Sequence, residues 1–577
     1  MSKRVWVGGG AAALVVALAG GGYALLLASA NDAVERSFAQ FRASLPAGAV
    51  FSHGPYEIDL LERSVSVASP SIDFNGYGRL GRLSAERAHV LGLEPGETET
   101  RAAEVLFDGV EMTDPGGVLS SVTLQQVVAR DVAISGQPAD LREGLLATRV
   151  GQLTASEVGL SRDDVVVSLQ QLTLADLDGG RLGTAELDDL RFESRGADEH
   201  ARFAFGSLSL AGLDLTAMLE QAEPLASGDW RSAVRLADLE QLRAAAVDLA
   251  VDHQQVTLEE LVIEEVDDAK LGRIRLVDLA VDNDGPASGW DLTAGLLSLE
   301  GFEISPLFSL SPRQLAASSD EEIFERTDAV AQQIAANLMG YAVEEIRFET
   351  DRFPGAVELA GFRLTDPQII DGRVVGGLTE IERFSFPFDP AMSVFANRIW
   401  SELELEDRLA ISLRGDQRYD PATSSLSTWQ DVTLHDMLEL RLSGRLGSLA
   451  GPLHAGMSQL DLQVALLGAT LGEAEVIVTD LGLLRPALEV MAEGQGVTAE
   501  QLVGQWIVIG AEAARTFQLG PVALEALEAI EVFLLEAGRL QVALAPVEEV
   551  PLLLLGAAGS PAAALDLVNP SISVLAE

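Results

Sequence analysis

The sequence predicts a mainly β protein: an elongated, curved antiparallel repeat sheet with a groove-like face, an N-terminal transmembrane helix, a mid-chain helix and C-terminal helices. Three observations carry that prediction. A phrase of alternating apolar and polar residues recurs along the chain, an uncharged apolar stretch lies near the N-terminus, and helical periodicity is confined to a mid-chain and a C-terminal stretch.

The chain opens on the basic tetrapeptide Met1-Ser2-Lys3-Arg4, and Val5 to Ala30 carries no charge. A span of ~20 apolar residues crosses the hydrocarbon core as a helix. A charge at the centre of such a span costs roughly 2.5–3.5 kcal/mol on insertion scales. Residues 1–31 are therefore expected to form a membrane anchor, with Lys3 and Arg4 holding the N-terminus inside. In a bacterium this means a single-pass inner-membrane protein with a cytoplasmic N-terminus and a periplasmic bulk. Ala28-Ser29-Ala30 also fits a small-x-small cleavage site, so a removed signal peptide is the rival reading. A signal core is ~7–15 residues, and this stretch is longer. Residues 32–48 follow as an amphipathic helix, with Val34, Phe38, Phe41 and Leu45 at 4-3-4 spacing.

The repeat occupies residues 49–312. Val167-Ser-Leu169…Leu172…Leu182-Gly183…Leu187…Asp189-Leu190 recurs without gaps as Val256-Thr-Leu258…Leu261…Leu271-Gly272…Leu276…Asp278-Leu279. Looser copies begin at Val65 and Val122, and a further one at Val357 beyond this region. Alternation marks strands, and the central Asp178-Gly179-Gly180 is turn chemistry, so each copy reads as two antiparallel strands joined by a turn. The alternation breaks phase between Leu169 and Leu172, and again between Leu187 and Leu190. A β-bulge there would return both sets to one face and curl the sheet into a gutter. Leu169, Leu172, Leu258 and Leu261 are the candidate lining of that groove.

Residues 313–342 read as a helical spacer, with Ile323, Val330, Ile334 and Leu338 at helical spacing. A second β region is expected at 343–482, with a turn at Tyr419-Asp420-Pro421. Residues 483–577 read as a helical C-terminal region with closing strands. Thr498-Ala-Glu-Gln501 is a capping box, Pro521 opens a helix, and Leu540–Leu544 and Pro551–Leu555 read as strands.

Composition narrows function. The 577 residues hold 39 Lys+Arg against 88 Asp+Glu, a formal net charge of −49, and no cysteine, yet they are 48% hydrophobic. The acid excess argues against nucleic-acid partners and against general attraction to anionic headgroups. Zero cysteine excludes disulfides and thiolate metal sites. Lys3 and Lys270 are the only lysines. Gly76-Tyr-Gly78-Arg-Leu-Gly81 lacks the βαβ context of a dinucleotide site, and Asp282-Asn-Asp284-Gly285 lacks the later ligands of a calcium loop. The six histidines are scattered and offer no i, i+4 metal pair. No catalytic site, metal or cofactor is expected. The acids fall between apolar strand positions and in turns, which describes an acidic outer coat over an apolar inner face.

Val65-Ser-Val-Ala-Ser-Pro70…Gly81-Arg-Leu-Ser-Ala85-Glu-Arg-Ala-His-Val90 and Val357–Phe386 resemble the repeat of AsmA-like envelope proteins. The surroundings of Tyr419-Asp-Pro421 are more distantly similar to YdgA-like envelope proteins. AsmA-like membership implies an uncleaved inner-membrane helix and a periplasmic β-groove that binds or transfers phospholipid acyl chains in outer-membrane maintenance. The alternative is a non-enzymatic structural or assembly factor that contacts other envelope proteins.

Overall fold

A computed structural model describes residues 38–575, apart from 40–41, 43–48, 60–61, 75–80, 93–98, 114–120, 136–146, 163–164, 196–199, 215, 217–237, 252, 268–269, 284–288, 304–338, 351–354, 371–372, 389–393, 403–407, 454–456 and 537. The expected anchor, the Gly76–Leu80 part of the glycine phrase and the spacer up to Leu338 lie outside the described residues. No helix among the described residues is long and apolar enough to cross a membrane. Strand pairing is antiparallel throughout, and the chain divides into two compact units.

Unit 1 covers residues 1–285 and 303–308. Its strands are β1 (Ala49–Ser52), β2 (Tyr56–Asp59), β3 (Ser64–Ala68), β4 (Ser71–Phe74), β5 (Arg82–Ser84), β6 (Arg87–Leu91), β7 (Glu99–Thr113), β8 (Ser121–Ser135), β9 (Thr148–Arg162), β10 (Val165–Asp178), β11 (Arg181–Arg195), β12 (His200–Asp214), β13 (Leu239–Val251), β14 (Gln254–Asp267) and β15 (Lys270–Asn283). From β6 to β15 each strand pairs with the next in sequence, and β5 lies beside β7 in line with β6. The short strands are halves of bent ones: β3 pairs with β6 and β2, β4 with β5 and β1. Phe38, Ala39 and Arg42 of the expected amphipathic helix are helical.

The hairpin between β10 and β11 turns on Gly179 and Gly180, both with positive φ, as a two-residue loop of right-handed twist requires. Each of the long strands β7–β15 also bends twice. At the first corner row Gly109, Glu157, Asp189, Ala246 and Asp278 have φ between 50° and 60°. At the second row Asp131, Asp176, Gly212 and Glu265 have φ between 53° and 65°. In both rows the left-handed residue sits on alternate strands.

The expected phase break is therefore real, but it is not a bulge. A bulge places an extra residue on one strand and shifts the pairing. Here the pairing of β11 with β12 skips Asp189 and Gly206 and resumes in unchanged register, so neighbouring strands bend together. The residue facing each corner is often glycine because there is no room for a side chain. A Cβ at Gly183 would lie 2.8 Å from the Cβ of Asp176, and one at Gly272 would lie 2.8 Å from the Cβ of Glu265. This explains the recurring Leu-Gly and Leu-x-Asp-Leu of the repeat: the glycine faces one corner and the aspartate turns the other. Val110, Phe107 and Ala102, one from each panel of β7, join a single buried cluster, so the three panels close around one interior.

Unit 2 covers residues 286–302 and 309–577. It holds β16 (Trp290–Glu303), β17 (Gly340–Thr350), β18 (Val357–Ile370), β19 (Arg373–Pro387), β20 (Arg408–Asp420), β21 (Ser425–Leu434), β22 (Leu438–Gly447), β23 (Thr470–Asp480), β24 (Arg539–Leu544), β25 (Val550–Pro551) and β26 (Pro570–Leu575). Its helices are α1 (Val394–Glu402), α2 (Gln459–Leu466), α3 (Leu484–Gln495), α4 (Ala499–Thr516), α5 (Gly520–Glu536), α6 (Leu552–Ala557) and α7 (Pro561–Val568). Corners continue at Gly301, Glu345, Asp366 and Arg383 of β16–β19. True register shifts occur only later, in β18–β19, β19–β20 and β22–β23 among the described strands.

Several expectations need correction. Gly340–Ala342, the end of the expected spacer, begins β17. The second β region is interrupted by α1 and α2. Leu552–Leu555 is helical, not strand: four leucines are good helix formers with no β-branched residue among them. The capping box at Thr498 and Gln501 is formed in both directions, and α5 opens at Gly520-Pro521.

Candidate functional site

Within unit 1 the inner face is built from register rows that cross the strands. The middle row runs Tyr56–Val67–Ala88–Phe107–Val127–Ala155–Leu172–Leu187–Leu208–Ala244–Leu261–Leu276. A row on the adjoining panel runs Leu190–Phe205–Val247–Leu258–Leu279. Every position is apolar or aromatic, because strand alternation within each panel sends polar residues to the other face.

Burial changes along the middle row. Phe107, Val127 and Ala155 are each 2% exposed. Phe38, stacked 3.9 Å from the ring of His53 and close to Phe51 and Tyr56, is buried in the same cluster. Side chains fill this end. From β10 onward Leu172, Leu187, Leu208, Leu261 and Leu276 are only half-buried, and the buried residues of the second cluster are Ala244, Val247 and Leu258. The inner face is thus a filled core under β3–β9 and an apolar trough with solvent-accessible walls across β10–β15.

The four candidate residues all stand on this face. Leu169 and Leu258, each 8% exposed, are buried beside the first corner row. Leu172 packs against the filled cluster and Leu261 against the smaller one. Leu187, Leu208 and Leu276 line the same row and went unread as candidates. The signal for them was present: Leu187 and Leu276 recur identically in the two best copies.

The other face carries the charge. Arg130–Glu104 (3.0 Å), Arg149–Asp178 (2.8 Å) and Arg181–Asp214 (2.8 Å) are cross-strand register partners and exposed. Such pairs add roughly 0–1 kcal/mol each. Where carboxylates face each other the effect reverses: Asp278 opposite Glu259 at a corner raises the Glu259 carboxyl above its ordinary value. A depression of about 940 Å³ lies at the second corner row among Asp214, Glu240, Glu264 and Asp267. Leu182, Leu213, Leu239 and Val266 line it beside those carboxylates, so it mixes polar and apolar surface. Among the described residues no His, Asp or Glu cluster of three or more is placed to hold a metal ion.

Ser412 Oγ lies 2.7 Å from His435 Nε2, which resembles a nucleophile and its base. The same Oγ accepts the backbone N–H of Arg383, a corner residue beside the β19–β20 register shift. Satisfying a backbone donor left out of the ladder accounts for this pair.

A protein-family model described as an uncharacterized protein matches residues 431–574, the stretch from β21 to β26. The comparison with curated proteins finds no match.

Proposed function

We propose that this chain is an inner-membrane-anchored periplasmic protein whose apolar trough binds or transfers lipid acyl chains in support of the cell envelope. The observation that carries this reading is the middle register row, which stays apolar from Ala155 to Leu276 while its five leucines are only half-buried and the small Ala244 among them is buried. A face that served only as a core would be covered, and an apolar face open to water is otherwise an association liability. With strands ~4.8 Å apart, β10 to β15 span roughly 24 Å. One leaflet of a ~30 Å hydrocarbon core, and hence one acyl chain, is about 15 Å. The size of the trough fits one chain or two overlapping ones. The acidic outer face and the resemblance of the Val65–Val90 phrase to AsmA-like repeats support the same reading.

Photocrosslinking tests it. A photoreactive phenylalanine analogue replaces Leu208 or Leu276 in the full chain, in cells, with Ser168 on the exposed face as control. Phospholipid adducts at Leu208 and Leu276 and none at Ser168 are expected. Protein adducts at the trough positions, with lipid absent, would assign the structural or assembly role instead.

A further inference from the structure

We infer that unit 2 carries a second, separate lipid contact: an apolar tip poor in charge, made by α2 and α6, that docks on a zwitterionic bilayer surface. The inference is independent of the trough.

The two short helices are held at one place. Leu466 of α2 and Leu552 of α6 both pack on the buried cluster of Val375, Tyr419, Leu426, Leu449 and Ala469. The N–H of Leu552 donates to the carbonyl of Ala469 at 2.9 Å, and that of Ala450 donates to Ala465 at 3.2 Å. Anchored by those inward residues, the helices turn their other apolar side chains outward. Leu460, Val464 and Leu467 share a stripe at i, i+4 and i+7 and are 56–68% exposed. Leu553 and Leu554 of α6 are 62% and 48% exposed.

Charge selects the occupant. Between Val550 and Leu565 there is no charged residue, and between Met457 and Ala469 the only one is Asp461, although the chain as a whole has a formal charge of −49. Neither stretch contains Lys or Arg, so the tip has nothing with which to grip anionic headgroups, and the rest of the molecule is repelled by them. A second copy of this chain is opposed by the same net charge, which favours the monomer. What remains complementary is an interface that is neutral outside and apolar just beneath, into which apolar side chains on short helices bury ~5–10 Å. Exposed apolar residues scattered singly are ordinary, whereas a clustered, charge-depleted patch marks an interaction site.

The absence of native cysteine makes a local reporter possible. The full chain carrying Leu553→Cys, labelled with an environment-sensitive fluorophore, is titrated with phosphatidylcholine vesicles. A blue shift with a several-fold rise in emission is expected, reduced by Leu460→Asp with Leu467→Asp, while a label at Ser168→Cys stays unchanged. The local reporter separates docking of the tip from insertion of residues 5–30. Three results would overturn the inference: no change at the Leu553 label with far-UV circular dichroism intact, a shift that requires phosphatidylglycerol, or a shift that grows with protein concentration without vesicles.

Discussion

Within unit 1 the same rows of apolar side chains pass through two regions that treat them differently. Under β3–β9 the interior is filled, with Phe38 and Phe51 of the chain's first described residues joining Phe107, Val105 and Ile72 in one buried cluster. Across β10–β15 the strands have the same corners, register and inward residue types, yet the leucines of the middle row are half-buried. The difference is therefore not in those strands. It lies in how the two ends finish: at one end the bent strand pairs of β1–β6 continue the sheet and Phe38 packs into the interior, and among the described residues nothing comparable stands at the other. A repeat with one construction can be a core where it is covered and a binding wall where it is not.

That comparison can be broken in graded ways. The largest effect is expected for Phe107→Ala in the filled region, a loss of about 3–5 kcal/mol of stability as for other buried aromatics, seen as a lowered unfolding midpoint. If Phe107→Ala were no worse than Leu208→Ala, the two regions would not differ. Next come the corners. Gly183→Val forces a side chain against Asp176 and should cost about 1–3 kcal/mol. Asp189→Val should cost about 1–2 kcal/mol for the left-handed backbone, with Asp189→Asn or Asp189→Gly nearly silent. Leu208→Ala in the trough should cost at most about 1 kcal/mol, since only part of a buried leucine's ~1.5–3 kcal/mol is realised there. It should nonetheless lower crosslinking to lipid at Leu276, and unchanged crosslinking would argue against a shared trough.

The smallest effect concerns Glu259. Its carboxyl binds a proton more readily in the folded protein than in the unfolded chain, because Asp278 faces it. Folding is therefore disfavoured by this pair at neutral pH and relieved as pH falls through the raised value. Glu259→Gln should raise the melting temperature slightly at neutral pH, with the gain vanishing on acidification. A gain that persists at low pH would point to a cause other than like charge.

Much of this was legible in the residues. Alternation gave the strands, Asp178-Gly179-Gly180 gave a hairpin, and the shift from Leu169 to Leu172 gave a corner. The second corner leaves the same three-residue step, from Leu174 to Leu177 and from Leu182 to Ala185, but only one apolar residue remains before the turn to show it. The α2 helix was hidden because Leu460, Leu462 and Val464 alternate like a strand. What the residues could not reveal is which leucines are covered, since that depends on Phe38 and on the β1–β6 pairs that finish one end from far along the chain. The candidate Leu169 and Leu258 accordingly proved buried, while Leu208 and Leu276 stand at the open wall.

The placement of the corners on alternate strands has a consequence for how such a sheet can grow. Left-handed residues recur on β9, β11, β13 and β15 in one row and on β8, β10, β12 and β14 in the other. The smallest length that can be added or removed without mismatching a corner is one hairpin. Losing a single strand would set two left-handed residues, or two of their facing residues, side by side. The length of the trough is thus counted in hairpins, and its cross-section is carried unchanged by each one.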